Sequence, residues 1–172
     1  MRDLILYRHA KSSWDDLDLD DFERPLSPRG AKAAPRMGNW LSAQRLIPDC
    51  VLCSTSVRTR ATLMLSLNEM EAVKPKLVFE DALYLANPSV LLNHIRAVSD
   101  DARCCMVLGH NPGLHALALE LTGQGRKRDI TQLAIKFPTA AIAHLRFEGE
   151  SWSSVQAACG QLVQYVTPRT IS

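Results

Sequence analysis

Leu4-Ile5-Leu6-Tyr7 is an unbroken apolar run that Arg8-His9 closes at once. Four apolar residues in a row, cut off by polar ones, read as a strand buried on both faces, because a half-exposed strand would alternate. Val51 to Cys53 and Cys104 to Leu108 repeat the pattern, and each is followed by polar or turn residues, Ser54-Thr55-Ser56 and Gly109-His110-Asn111-Pro112. Longer, helix-like segments fall between these runs. Ser27-Pro28 reads as an N-cap with proline at the first helical position, ahead of Ala31, Ala34, Met37, Trp40 and Leu41 at helical spacing. Pro35 sits inside that helix and is expected to kink it. Ser54-Thr55-Ser56 caps a second helix, reaching roughly to Met70. Lys76 to Phe79 gives a weaker strand, and Pro88 opens a helix through Val98. A further helix runs from the turn after Leu108 through Leu121. Thr131 to Phe137 and Ala140 to Phe147 read as adjacent strands, and Ala157 to Val166 as a terminal helix. Strands joined by helical crossovers predict a three-layer α/β fold, a mostly parallel sheet with helices on both faces.

Composition agrees with this class. The 172 residues are 47% apolar and 22% charged, and the expectation is one domain over residues 1–172. Twenty Lys+Arg balance 18 Asp+Glu, and the pI is about 8.3, which argues against a nucleic-acid binder. No apolar stretch has the length of a membrane span or of a signal-peptide core, so the expected location is the cytoplasm. Five cysteines, an odd number, fit reduced thiols. The Cys50-x-x-Cys53 pair lies within an apolar run and reads as core, and Cys104-Cys105 have the wrong spacing to complete a zinc site. On one strand Cys104 and Cys105 would face opposite sides of the sheet.

In open α/β sheets ligands bind beyond the carboxyl ends of the strands. At those ends stand Arg8 and His9, then Ser54, Ser56 and Arg58, then His110 and Asn111. If the strands are parallel neighbours, two arginines and two histidines converge with no carboxylate among them, which suits a dianionic phosphate. Arg58, early in a helix where a cation opposes the macrodipole, is placed for an anion, whereas Arg60 points to solvent.

These segments resemble the histidine phosphatase superfamily, also called phosphoglycerate-mutase-like. Tyr7-Arg8-His9-Ala10 is similar to its Arg-His-Gly signature. Ser54-Thr55-Ser56-Val57-Arg58-Thr59-Arg60 is similar to its second-arginine segment, and Gly109-His110-Asn111-Pro112-Gly113 to its second-histidine segment. Asp21-Phe22-Glu23-Arg24-Pro25-Leu26-Ser27-Pro28-Arg29-Gly30 is similar to the leucine-serine/threonine-x-x-glycine entry to its first helix. Short length and Ala10 make the SixA-type phosphohistidine phosphatases the nearest branch. The resemblance implies that His9 is the nucleophile, carrying a phosphoryl group until water removes it. It also implies that Arg8 and Arg58 grip the phosphate and keep His9 neutral, and that His110 donates to an equatorial oxygen. Ser12 and Asn111 complete the anion contacts, and no metal or other cofactor is implied.

Larger members of the family carry a glutamate after the third strand that protonates an alcohol leaving group. Here that region reads Phe79-Glu80-Asp81-Ala82-Leu83-Tyr84, where Glu80 or Asp81 is the candidate donor but neither is in register. An alkoxide needs such an acid, whereas the nitrogen of a phosphoramidate can take a proton from solvent. Little sequence separates Phe79 from Cys104, so no large lid is expected and the site should be shallow and open. The resemblance therefore implies a phosphohistidine-bearing protein domain, of phosphorelay or phosphotransfer type, as partner. A phosphomonoesterase, a small-molecule phosphoramidase and a weakly active phosphate-binding module are the alternatives. A nucleotide site is not supported, because neither phosphate-loop glycine pattern occurs.

Overall fold

The computed structural model describes residues 1–70 and 74–171. Seven strands form one sheet: β1 Arg2–Arg8, β2 Cys50–Ser54, β3 Lys76–Glu80, β4 Cys104–Gly109, β5 Thr122–Gly125, β6 Ile142–Phe147 and β7 Gly160–Val166. Their order across the sheet is β3-β2-β4-β1-β6-β7-β5. The pairs β3–β2, β2–β4, β4–β1 and β7–β5 are parallel, and only β6 runs against its neighbours.

The unbroken apolar runs are explained by burial on two sides. Ile5 and Tyr7 pack with Ala34, Met37 and Leu41 of α1 (Pro28–Ala43) and Leu63 of α2 (Val57–Leu67). Leu4 and Leu6 face the other way. They pack with Leu91 and Ile95 of α3 (Pro88–Arg96), Leu114 and Leu117 of α4 (Gly113–Leu121) and Leu133 of α5 (Lys127–Ile135). Cys104 and Cys105 divide between the same two clusters, and all five cysteines are free, with only Cys159 exposed.

Ser27 caps α1 by accepting from the Gly30 amide at 3.1 Å, and Ser56 caps α2 through the Thr59 amide. α1 runs on through Pro35. Gly30 admits the strand-to-helix loop: a Cβ there would stand 2.1 Å from the Lys11 carbonyl oxygen. Gly109 is the last residue of β4 and has no left-handed backbone, so it does not make the turn expected of it.

Two expectations fail in the C-terminal third. Thr131–Phe137 is not a strand, because Lys127–Ile135 is helical and Phe137 follows in the loop. Ala157–Val166 is not a helix, because Gly160–Val166 is β7. The strand beside β6 is therefore β7, and β5 closes the edge with the sequence Thr122-Gly123-Gln124-Gly125, which carries no apolar signal.

Candidate active site

β1 and β4 are neighbours, yet the chain leaves β1 for α1 on one face and leaves β4 for α4 on the other. The loops diverge at the carboxyl ends, the place where α/β sheets bind ligands. Register brings Tyr7 level with Leu108 and Cys53 level with Leu108 on the far side. His9, His110 and Ser54 therefore lie at the tips of three adjacent strands, and Arg58 enters from the first turn of α2.

The side chains meet at Arg58. Its Nε donates to His9 Nε2 at 3.4 Å, and its Nη2 faces His110 Nδ1 at 3.3 Å. The ring centroids of the two histidines are 5.3 Å apart. One edge of the guanidinium, the edge that grips an oxyanion bidentately, thus looks onto both imidazoles. His9, Arg58 and His110 are 6%, 4% and 2% exposed. Arg8 donates from Nη1 to the Phe137 carbonyl at 3.1 Å, while its buried Nε has no partner.

Each imidazole is oriented by its second nitrogen. His9 Nδ1 lies 2.7 Å from the Ala10 carbonyl, which can only accept, so the proton sits on Nδ1 and Nε2 keeps its lone pair. His110 Nε2 is 2.8 Å from the Ser54 hydroxyl, which can donate or accept. Burial pushes His9 down to about 4, with Arg58 and Arg8 adding to the shift. His110 falls to about 3 through burial first, then His9 and Arg58. Both rings are neutral at pH 7. The arginines expected to depress His9 do contribute, but desolvation dominates.

The absence of a carboxylate does not hold. Asp21, in a short 3-10 turn over Asp21–Glu23, accepts from Arg58 Nη2 on Oδ2 at 2.9 Å and from Arg58 Nη1 on its backbone oxygen at 2.6 Å. Tyr84, from the turn after β3, donates its hydroxyl to the same carboxylate. Its ring stands edge-on to His110 and to Phe22, at 5.2 and 5.0 Å. Two short turns thus meet above the histidines, which are covered rather than lying in a shallow, open mouth. Burial works to raise Asp21, but Tyr84 and Arg58 prevail and hold it at about 2.

Other candidates are spent elsewhere. Glu80 ends β3 opposite Ser54 and lines a cavity of about 550 Å³ between β3 and α3. Asp81 accepts from the Thr55 hydroxyl at 2.5 Å. Asn111 donates its amide to the Phe137 carbonyl at 2.8 Å, beside the Arg8 contact, and its Oδ1 is buried without a partner. Ser12 accepts from Arg24 at 2.5 Å. Arg24, absent from the candidates, also bonds Ser13 O and Asp21 Oδ1, each at 3.0 Å, and so fixes the loop that carries Asp21. Sequence alone gives Asp21 no distinction among six acidic residues between 15 and 23. Among the described residues no group of three or more His, Cys, Asp or Glu is placed to hold a metal ion, and no helix is long and apolar enough to cross a membrane.

No protein-family model matches the chain. The uncharacterized protein ML1117 of Mycobacterium leprae is 36% identical over 166 residues, 94% of this chain and 99% of its own length. A solved structure from Nakamurella multipartitia, provisionally assigned as the phosphohistidine phosphatase SixA, superposes with a TM-score of 0.84 at 30% identity. It covers 97% of this chain and 96% of its own. One from Agrobacterium tumefaciens, with the same provisional assignment, gives 0.82 at 26% identity, covering 97% and 98%.

Proposed function

The chain belongs to the histidine phosphatase superfamily, in its SixA-like branch, and from that premise we propose that it hydrolyses phosphohistidine on a partner protein through a phosphohistidine intermediate at His9. The observation that carries the reading is the shared guanidinium edge: His9 Nε2 and His110 Nδ1 both face the same side of Arg58. A phosphoryl group placed there meets a neutral nucleophile already aimed by Ala10, and two cationic groups offset its charge.

In the first step the His9 Nε2 lone pair attacks phosphorus in line and the bond to the leaving nitrogen breaks. Once the anion takes over the Nη2 hydrogen of Arg58, His110 Nδ1 is free to carry a proton towards an equatorial oxygen. The Ser54 hydroxyl then donates to Nε2 and holds that tautomer. Arg8 Nε, buried without a partner, is a further donor for the anion. Water attacks the phosphoenzyme in the second step and releases phosphate. The arginines provide the charge that a metal ion supplies in other phosphoryl-transfer sites, so we assign no metal to the reaction. The buried free thiols suit a reducing cytoplasmic setting, and the partner is a phosphohistidine domain of the phosphorelay or phosphotransfer kind.

Incubation with a phosphohistidine peptide or phosphoramidate should give an acid-labile, base-stable phosphoenzyme. His9→Ala should abolish both labelling and turnover. Full turnover by His9→Ala would remove the nucleophile assignment.

A further inference from the structure

Members of this fold that cleave esters need an acid for the departing oxygen, and the two carboxylates at the end of β3, Glu80 and Asp81, make no hydrogen bond to either histidine. The carboxylate that does lie in the cluster, Asp21, cannot fill that part, because it is ionised at neutral pH. Its location is nonetheless specific. The His9, Arg58 and His110 side chains are almost sealed, while the Asp21 side chain is 44% exposed, so it stands where the buried cluster meets solvent. In-line displacement sends the leaving group out on the side of phosphorus away from His9, and a group departing to solvent has to pass the exposed part of this cluster. The rings of Phe22 and Tyr84 pack edge-to-face beside Asp21. Asp21 is held there by Arg58, Arg24 and Tyr84, so its charge is fixed before substrate arrives. Its field also reaches both histidines, working to raise each of them against the effect of burial.

We propose that Asp21 selects the leaving group: its carboxylate accepts a hydrogen bond from the far ring nitrogen of a protonated phosphohistidine and disfavours departing alkoxides or phenolates. The inference rests on the phosphohistidine reading above. The step needs no separate acid. The substrate ring enters protonated on the nitrogen that does not bear phosphorus. His9 Nε2 forms its bond to phosphorus, the old P–N bond breaks, and its electron pair returns to the substrate nitrogen. The ring departs neutral, with its proton on the nitrogen facing Asp21. An anion at contact raises the affinity of the bound ring for that proton by one or more pKa units, extending reaction to higher pH. The same charge repels a leaving oxygen, which becomes more negative as its bond breaks.

The test is Asp21→Asn, measured as single-turnover phosphoryl transfer to His9 at saturating enzyme. With a phosphohistidine peptide, transfer at pH 8 should fall by about tenfold, matching loss of one unit of pKa support. The fall should be smaller at pH 5.5, so that the alkaline limb moves to lower pH. With p-nitrophenyl phosphate the variant should hold its rate or gain. Tungstate affinity, which reads the placement of Arg58, should not fall in step with the peptide reaction. Tyr84→Phe, which leaves the carboxylate in place, should keep the wild-type preference between the two substrates. Equal losses on both substrates and on tungstate would show that Asp21 only braces Arg58, and would overturn the proposal. An unchanged peptide rate and pH limb would overturn it too. A wild-type enzyme that takes no phosphoryl group from the peptide overturns the functional reading itself, and the inference with it.

Discussion

Arg58 occupies the second residue of α2, where the helix dipole is unfavourable to a cation, and it is almost wholly buried. Asp21 braces its outer side through the Nη atoms, and the Nε–Nη2 edge stays turned to the histidines. An oxyanion arriving there replaces two long contacts to neutral rings with charge-assisted hydrogen bonds. Arg58→Ala should therefore weaken competitive inhibition by tungstate by at least roughly tenfold. Arg58→Lys should recover only part of it, since an ammonium cannot reproduce the fork. Undiminished tungstate binding by the alanine variant would take Arg58 out of the site. Arg8, His9, Arg58 and His110 are legible in the sequence because each follows an apolar run or a capping serine. Asp21 and Arg24 are not. They act through a loop whose path is set by the Gly30 contact and by hydrogen bonds among side chains, and neither leaves a periodic trace.

At the scale of elements, the parallel half of the sheet is plain in the sequence, because a strand covered on both faces must be apolar throughout. The other half misleads for identifiable reasons. Leu133, Ile135 and Phe137 alternate like a strand, but Ile135 is 72% exposed, and inside the helix the partly buried Ile130 and the buried Leu133 stand three residues apart, with Phe137 beyond its end. In β7 the error runs the other way. The register with β6 skips Val163, and this bulge places buried Leu162 and Tyr165 three residues apart, which imitates a helix. Close approach between elements also supplies a stability test. α4 begins just beyond His110 at Gly113, where a Cβ would stand 1.9 Å from the Ala86 carbonyl oxygen in the loop after Tyr84. Gly113→Ala forces that loop and α4 apart and should cost about 1–3 kcal/mol. At Gly109 the nearest neighbour to a Cβ is Leu114 Cδ1 at 3.9 Å, an ordinary contact. Urea denaturation should separate the two substitutions clearly, and equal shifts of the midpoint would contradict the packing account.

Across the whole molecule, the adjoining carboxyl ends of β1 and β4 bring two imidazoles into a buried cluster beside two guanidinium groups. That arrangement keeps His9, the proposed nucleophile, neutral, and it also ties stability to pH. In the unfolded chain each histidine titrates near 6.5. In the folded protein His9 stays neutral down to about 4 and His110 down to about 3. Between those values the unfolded chain binds protons that the folded chain refuses, so stability rises with pH over that interval and is lost as pH falls through it. Asp21 acts in the same direction at lower pH, since its carboxylate is held at about 2 when folded, below its ordinary value of 3.8. Thermal unfolding should accordingly move to lower temperature as pH drops from 6.5 to 4.5, a range in which Asp21 remains ionised. A variant carrying His9→Gln and His110→Gln cannot take up these protons when it unfolds, and its Tm should be much less sensitive to pH over that range. An unaltered pH slope in the double variant would mean that both rings are free to ionise in the folded protein, and a nucleophile held neutral by burial would then have no physical basis.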